Sequence, residues 1–455
     1  MAPHVLIAGG GYVGMYTAFR LRRAVRHGDV QVTVVDPRPV MTYQPFLPEA
    51  AAGSLEPRHV VVPLRAVLRG CRVIAGRVTS IDHANHRATV EPPAGDQYGV
   101  DYDHVVVALG SVARTLPIPG LAEQAIGFKH VEEAIALRNQ VLGRLDLAAS
   151  ISAASPSDEA QRLRALTFVF VGGGYAGVEA FAELEDMARY ATRYYTNLEP
   201  KDMRWVLVEA AGRILPEVGE EMGEYTVEQL RSRSMEVLLH TRLESCVDGH
   251  VELSDGQRFD ADTIVWTAGV KANPAVAFTG LPLDERGRIR CNADLRVVGF
   301  DDAWAAGDNA AVPDLSSSVP GATCSPSAQH AVRQAKVLAR NVLRVIAGDP
   351  PVEYRHRHVG SVASLGLHKG VAQVYGIKLK GFPAWFMHRT YHLSRVPTLN
   401  RKARVVLDWT LALFFRREVV SLGSLHDPSD EFRRAASSSH RPRPASWRRD
   451  GIEGE

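Results

Sequence analysis

Cysteine is scarce in this chain, and what there is of it lies scattered. The four cysteines, at positions 71, 246, 291 and 324, form no CxxC, no close pair and no metal-ligand spacing. That argues against a disulfide-stapled or zinc-held fold and predicts a reduced, cytoplasmic chain. Long apolar runs are missing too: none reaches the roughly 18 to 20 residues that a helix needs to cross a bilayer. No basic n-region or cleavage signal precedes the first apolar strand at His4, so secretion is not expected. Charge of one sign is also lacking, since 53 Lys and Arg against 51 Asp and Glu leave a formal net charge of +2. So small an excess says little about partners, and no nucleic-acid partner is expected. What remains is an ordinary globular composition, and 455 residues predict two or three domains rather than one core.

A glycine-rich loop, in contrast, occurs twice. The first is Gly9-Gly10-Gly11-Tyr12-Val13-Gly14 and the second is Gly172-Gly173-Gly174-Tyr175-Ala176-Gly177. The first follows an apolar strand, His4 to Ala8, and opens a helical stretch from Tyr12 to about Arg26. A second strand, Gln31 to Val35, then ends at Asp36. Strand, glycine turn, helix, strand and acid, in that order, form a dinucleotide-binding fingerprint. Gly9 permits the tight turn, Gly11 lets the backbone approach a pyrophosphate, and Gly14 lets the helix pack on the sheet. Asp36, about 20 residues beyond the last glycine, can accept from a ribose hydroxyl. The second loop repeats the pattern, from Leu166–Val171 to Trp205–Val208 and the acid Glu209. The extra residues before that acid, roughly Asp186 to Lys201, predict an added helical segment. Glu209 favours NADH over NADPH, because a carboxylate repels a 2′-phosphate; Arg213, close by in sequence, could soften that preference. Two nucleotide sites in one chain point to electron transfer between a flavin and a nicotinamide.

Glu179 sits two residues past Gly177, in the expected first turn of the second helix. It can complement the helix N-terminus or supply a proton beside the flavin, and spacing alone does not choose. Ala303-Trp304-Ala305-Ala306-Gly307-Asp308 is a short apolar strand ending in Gly-Asp, suited to a sugar-like hydroxyl such as the ribityl chain of FAD. Val105–Gly110 and Ile264–Gly269 are matching strand-glycine elements that read as crossings between domains. The fold class is α/β, with two Rossmann-like domains, the FAD domain discontinuous and the NAD domain inserted. Ser150 to Asp158 reads as a surface loop within the insert.

These residues resemble type II NADH dehydrogenases, the non-proton-pumping NADH:quinone oxidoreductases, over about residues 4 to 425. Tyr43-Gln44-Pro45-Phe46-Leu47-Pro48-Glu49 with Ala52-Gly53 resembles the family's segment beside the isoalloxazine ring. Val171 through Glu179 resembles its VGGGxxGVE, and Thr267-Ala268-Gly269-Val270 its AGV segment. Ala328-Gln329-His330-Ala331 resembles the start of its quinone-site AQxAxQQ motif, and Gly381-Phe382-Pro383-Ala384-Trp385 the start of its membrane-associating C-terminus. The resemblance implies that Gly9, Gly11, Gly14, Asp36 and Asp308 bind FAD and that Gly172, Gly174, Gly177 and Glu209 bind NADH. Gly10, Gln44, Pro45, Gly110 and Gly269 are implied as further cofactor-binding positions. Gln329 would face the quinone, and Glu179 would lie near both nicotinamide and quinone. The implied reaction passes a hydride from NADH to FAD and then two electrons to a quinone. Arg333-Gln334 stands where the family has paired glutamines, and His330 reads as a packed or capping residue. Implied spans are 1–115 and 273–355 for the FAD domain, 116–272 for the NAD(H) domain, and 356–425 for a membrane-associating or dimer region.

Val405 to Phe415 is apolar apart from Asp408 and Thr410 and is flanked by Arg401, Lys402, Arg404, Arg416 and Arg417. With Trp385, Trp409, Phe414 and Phe415 as interfacial aromatics, it suits a helix lying in the headgroup region of the inner leaflet, at the cytoplasmic face of the membrane. A homodimer contact or packing on the FAD domain are the alternatives. The segment Trp385 to His392 is more polar than the family's run. Arg433, Arg434, Arg441, Arg443, Arg448 and Arg449, among Ser and Pro, make 426–455 read as a disordered basic tail. Competing functions are a sulfide:quinone or disulfide reductase, for which Cys324 is the only candidate thiol, and a flavin redox sensor that does not turn over.

Overall fold

The computed structural model describes residues 2–152, 154–356, 360–415, 417–421 and 433. The expected tail at 426–455 therefore lies, apart from Arg433, outside the described residues. Two five-stranded parallel sheets repeat one plan. In the first, the strand order is Ala303–Ala305, His104–Val107, His4–Ala8, Gln31–Asp36, Arg72–Ala75. In the second it is Ala125–Gly127, Thr263–Trp266, Thr167–Val171, Arg204–Val208, Glu236–Leu238. In each, the strand that carries the glycine loop is central. Those central strands are buried on both faces, as expected for parallel sheets covered by helices and for runs as apolar as Thr-Phe-Val-Phe-Val.

The chain leaves the first sheet after Val107 and returns to it at Ala303, so the first unit is discontinuous and the second is inserted. The two crossings touch: Ser111–Ala113 pairs antiparallel with Val270–Ala272. Each sheet also carries a three-stranded antiparallel appendage, Arg77–Asp82 with Arg87–Glu91 and Tyr98–Asp101, and Leu243–Ser245 with His250–Leu253 and Arg258–Asp260. A third such sheet, Gly360–Ser364, Gly370–Val374 and Ile377–Lys380, precedes the two C-terminal helices Phe382–Arg395 and Leu399–Phe414. Nothing in the sequence reading foresaw it, because its strands are short and joined by tight turns.

Two expectations are corrected. The segment from Asp186 to Lys201 is no separate helix. The Tyr175–Ala191 helix runs through Asp186, two short 3-10 turns follow at Thr192–Tyr194 and Pro200–Asp202, and residues 195–199 between them are non-helical. The predicted loop from Ser150 to Asp158 is shorter than expected. The helix Val131–Ser150 ends at its start, and Ser155 caps the next helix, Pro156–Ala165, by accepting the Asp158 N–H.

The second sheet packs on an aromatic group, with the ring of Phe168 stacked 4.4 Å from that of Trp205, while Phe170 and Phe181 meet at 5.2 Å. Phe168 is fully buried. Replacing it with Ala removes that contact and leaves a cavity, which costs ~3–5 kcal/mol. Denaturant unfolding followed by tryptophan fluorescence should show a midpoint lowered accordingly.

Candidate active site

Both glycine loops are built alike. Gly9 and Gly172 adopt φ of +106° and +114°, a region closed to other residues. A Cβ on Gly14 would overlap the Gly9 carbonyl, and one on Gly177 would overlap the Gly172 carbonyl. These two glycines thus let each helix sit directly on its loop. Gly11 and Gly174, the N-cap residues, have nothing within 4 Å of a Cβ and face open space. Neither helix has a side-chain cap or an acid in its first turn. Their first N–H groups are left for an anion, which is the fit a pyrophosphate requires.

The two acids close the loops in the same way. Asp36 Oδ2 accepts the Gly10 N–H at 2.7 Å and Oδ1 the Arg38 N–H at 2.7 Å. Glu209 Oε2 accepts the Gly173 N–H at 2.5 Å and Oε1 the Ala211 N–H at 2.6 Å. Burial raises the Asp36 pKa, with those N–H groups and Arg38 and Arg77 pulling it back. Arg213 donates to the Pro216 carbonyl at 3.0 Å rather than to Glu209.

A second group of residues converges from four segments. Asp308 Oδ2 accepts from Ser111 Oγ at 2.6 Å, and Lys129 Nζ donates to the same Oγ at 2.5 Å. Burial lowers the Lys129 pKa, against the opposing pull of Asp308 and Glu133. Gln44 Nε2 donates to the Lys129 carbonyl at 3.3 Å, and its own N–H goes to the Tyr12 hydroxyl at 3.1 Å. Pro45 sets the start of that 3-10 turn. Asn309 donates to the Val107 carbonyl and accepts the Gly110 N–H at 2.8 Å. Gly110 and Gly269, both at positive φ, present open space where a Cβ would stand. Lys129, Ser111 and Asn309 carried no sequence signal, except that Asn309 follows the Gly-Asp pair.

Around the start of the Ala328–Ile346 helix, Gln329 Nε2 donates to the Gly360 carbonyl at 3.1 Å. Its Oε1 is buried with no partner among the described residues. Gln334 Oε1 accepts the Gly307 N–H at 2.7 Å, so this glutamine holds the Asp308 turn in place. His330 is packed against the Tyr354 hydroxyl at 3.0 Å, and Arg333 Nη1 meets His356 Nδ1 at 2.6 Å.

Glu179 is not in the first turn of its helix. Tyr175 is the first helical residue, so Glu179 opens the second turn. Oε1 accepts the Ser364 N–H at 2.9 Å and lies 3.1 Å from His388 Nε2. One turn on, Glu183 accepts from Ser364 Oγ at 2.7 Å. Burial and the nearby Glu49 push Glu183 up to about 7, against Arg417 and the Ser364 hydroxyl. Glu49 accepts from Arg389 Nη2 at 2.8 Å and from Trp409 Nε1 at 2.9 Å. The polar residues that interrupt the C-terminal run, His388 and Arg389, thus face inward.

The same holds for half of the expected interfacial aromatics. Trp385 is buried under Arg389, whose guanidinium carbon lies 4.2 Å from the ring centroid, and Trp409 packs edge-on to Phe46 at 5.6 Å. Phe414 and Phe415 do point out, beside Leu407, Leu411 and Leu413. Asp408 takes the His59 ring at 2.6 Å and the Glu56 N–H at 3.2 Å, which accounts for an acid in an apolar helix. Among the described residues no helix is long and apolar enough to cross a membrane.

Residues 3–335 match the family model for pyridine nucleotide-disulphide oxidoreductases. The type II NADH:quinone oxidoreductase of Staphylococcus aureus is 30% identical over 392 residues, 85% of this chain and 93% of that protein. The one from Mycobacterium tuberculosis is 29% identical over 91% of this chain and 88% of its own length. Among solved structures, NDH2 from Plasmodium falciparum in complex with NADH superposes with a TM-score of 0.84 at 16% identity, covering 92% of this chain and all of that one. The chain belongs to the pyridine nucleotide-disulphide oxidoreductases and, among them, to the type II NADH:quinone oxidoreductases.

Proposed function

We propose that this chain oxidises NADH and delivers the two electrons to a quinone by way of bound FAD, without pumping protons. The observation that carries this reading is the doubled loop: two uncapped helix N-termini, each with an acid at its rim, joined by one antiparallel crossing. Two nucleotides held on one rigid frame are what a hydride relay needs. Gly9, Gly10, Gly11, Gly14, Asp36, Gln44, Pro45, Gly110 and Asp308 would hold FAD, on spans 1–115 and 273–355. Gly172, Gly174, Gly177, Glu209 and Gly269 would hold NADH, on span 116–272. When bound, FAD supplies a carrier that takes up a hydride equivalent and gives up electrons in turn.

The chain's own residues bind, orient and move the proton. The free N–H groups of the two helices take the pyrophosphates. Asp36 and Glu209 accept from ribose hydroxyls, and Asp308 with Ser111 offers a site for a further hydroxyl. Gln329 would donate the second hydrogen of its Nε2 to a quinone carbonyl, and its buried Oε1 would accept from a hydroxyl of the hydroquinone. The balance is NADH + H⁺ + quinone → NAD⁺ + hydroquinone, so one proton must enter from outside, and Glu179 would deliver it. The outward face of the Leu399–Phe414 helix, with span 356–425, would lie on the inner leaflet at the cytoplasmic face of the membrane. A homodimer would set two such faces side by side.

A thiol-based reductase is not favoured. Cys324 is buried, and burial with Asp314 nearby pushes its pKa up to about 11, which disfavours the thiolate that such chemistry needs.

Three outcomes are expected. Anaerobic NADH should bleach the visible flavin absorbance of the purified protein and a soluble quinone should restore it; a flavin left oxidised by excess NADH would sink the reading. Gly14→Ala should purify with most of its flavin missing, whereas Gly177→Ala should keep its flavin and lose NADH affinity. Glu209→Ala should lower the NADH/NADPH ratio of kcat/KM by about tenfold, the equivalent of ~1.4 kcal/mol, in a steady-state comparison of the two nucleotides.

A further inference from the structure

We infer that His388 is a positioning residue for Glu179, and that the two side chains hold as one unit the single proton that each turnover takes from outside. The inference rests on the reading of Glu179 as proton donor given above. Its basis is a count of buried charge. The Phe382 helix, the Tyr175 helix, the Leu47–Ala51 helix and the stretch around Arg417 meet in one apolar wall, and each brings ionisable groups.

Arg389 is engaged by Glu49 at 2.8 Å. Arg417 lies 3.1 Å from Asp186 and 3.7 Å from Glu183. Glu185 takes Arg189 and Arg233, and Lys369 faces Glu185 and Asp186. From the adjoining strand Ser364 contributes a neutral N–H and hydroxyl, and Tyr175, beside Glu179, is held protonated by its own burial. The buried cations Arg389, Arg417 and Arg233 are thus each paired with a carboxylate other than Glu179, and the more exposed Arg189 shares Glu185 with Arg233. His388 is what remains for Glu179. Its side chain is 1% exposed, and its Nε2 lies 3.1 Å from Glu179 Oε1. His392, one turn away with its ring 4.6 Å off, cannot substitute, because burial drives its pKa well down, assisted by His388 and Arg395, and keeps it neutral.

The proton on this pair can sit on the imidazole or on the carboxyl. In either form the pair is neutral overall. With the proton gone, an uncompensated carboxylate would be left in the apolar wall, which is strongly disfavoured. Burial pulls the His388 pKa down, but Glu179, with Glu49 and Glu183 behind it, more than reverses this and leaves it raised. When Glu179 gives its proton to a bound acceptor, the pair must regain one before the next cycle. No bond other than O–H and N–H changes, and the electrons come from NADH.

The sign of the pH effect follows. A histidine whose folded pKa is raised lends stability that is full below its unfolded value of about 6.5 and is lost as pH rises through the folded value. Flavin-loaded wild type should therefore exceed His388→Gln in Tm by more at pH 6 than at pH 9. Glu183 titrates within this window and acts on the His388 pKa, so the same pair of proteins is also compared in a Glu183→Gln background, where the difference between pH 6 and pH 9 should persist. In quinone-dependent turnover, the alkaline limb of kcat in His388→Gln should move down by at least one pH unit, which is about a tenfold loss at the alkaline end. A Tm difference that is constant with pH, or an unmoved limb, would overturn the inference and leave His388 a packing residue. If His388→Gln does not fold, Glu179→Gln must reduce the fall in Tm between pH 6 and pH 9 relative to wild type, and an undiminished fall overturns it equally. Quinone turnover unaffected in Glu179→Gln would instead remove the proton-donor reading beneath it, whereas a slowed Glu179→Gln beside an unaltered His388→Gln rejects the pairing alone.

Discussion

The antiparallel contact between Ser111–Ala113 and Val270–Ala272 is the constraint on which the rest depends. Each strand follows directly on a strand of its own parallel sheet, so pairing them ties the two sheets together beside their loop ends. In open α/β sheets ligands bind outside the carboxyl ends of the strands. Here the carboxyl ends of both units lie close to this one crossing. Ser111 also belongs to the crossing and reaches Asp308, which returns from far along the chain. Sheet order, crossing and site are thus one arrangement.

The glycine loops were legible in the sequence because their chemistry is local. Gly9 and Gly172 need a positive φ, Gly14 and Gly177 need the absence of a Cβ, and the acids Asp36 and Glu209 follow at the end of the next strand. The discontinuity of the first sheet was legible too, from Val105–Gly110, Ile264–Gly269 and Ala303–Asp308, since each is an apolar strand ended by glycine. Lys129 was not legible. It lies at the foot of a helix with no motif about it, and only tertiary folding brings Gln44 and Ser111 to it.

The C-terminal helices show a different failure. Composition marked Trp385 and Trp409 as lipid-facing and His388 and Arg389 as an obstacle to membrane contact. Both judgements assumed that polar groups point outward. In this fold the inward face meets Glu49, Glu179 and Glu183, so burial selects the polar residues and the Trp409 indole that donates to Glu49, while Trp385 is buried against the Arg389 guanidinium. The outward face is left with Leu407, Leu411 and Phe414. Which face is which depends on partners remote in sequence, and periodicity alone does not report it.

The contact between Trp409 and Glu49 has a practical side. Glu49 belongs to the segment between the sheet strands Gln31–Asp36 and Arg72–Ala75, and its Oε2 accepts from both Arg389 and Trp409. Cutting the chain before the Leu399–Phe414 helix, a natural way to seek a version that needs no detergent, would remove Trp409 and also Arg417, the partner of Asp186 and Glu183. Three carboxylates would then face an apolar wall with fewer cations and donors than they were folded against. The greasy exterior of that helix cannot be shed without its interior; polar substitutions at Leu407, Leu411, Leu413 and Phe414 would trim the exterior alone.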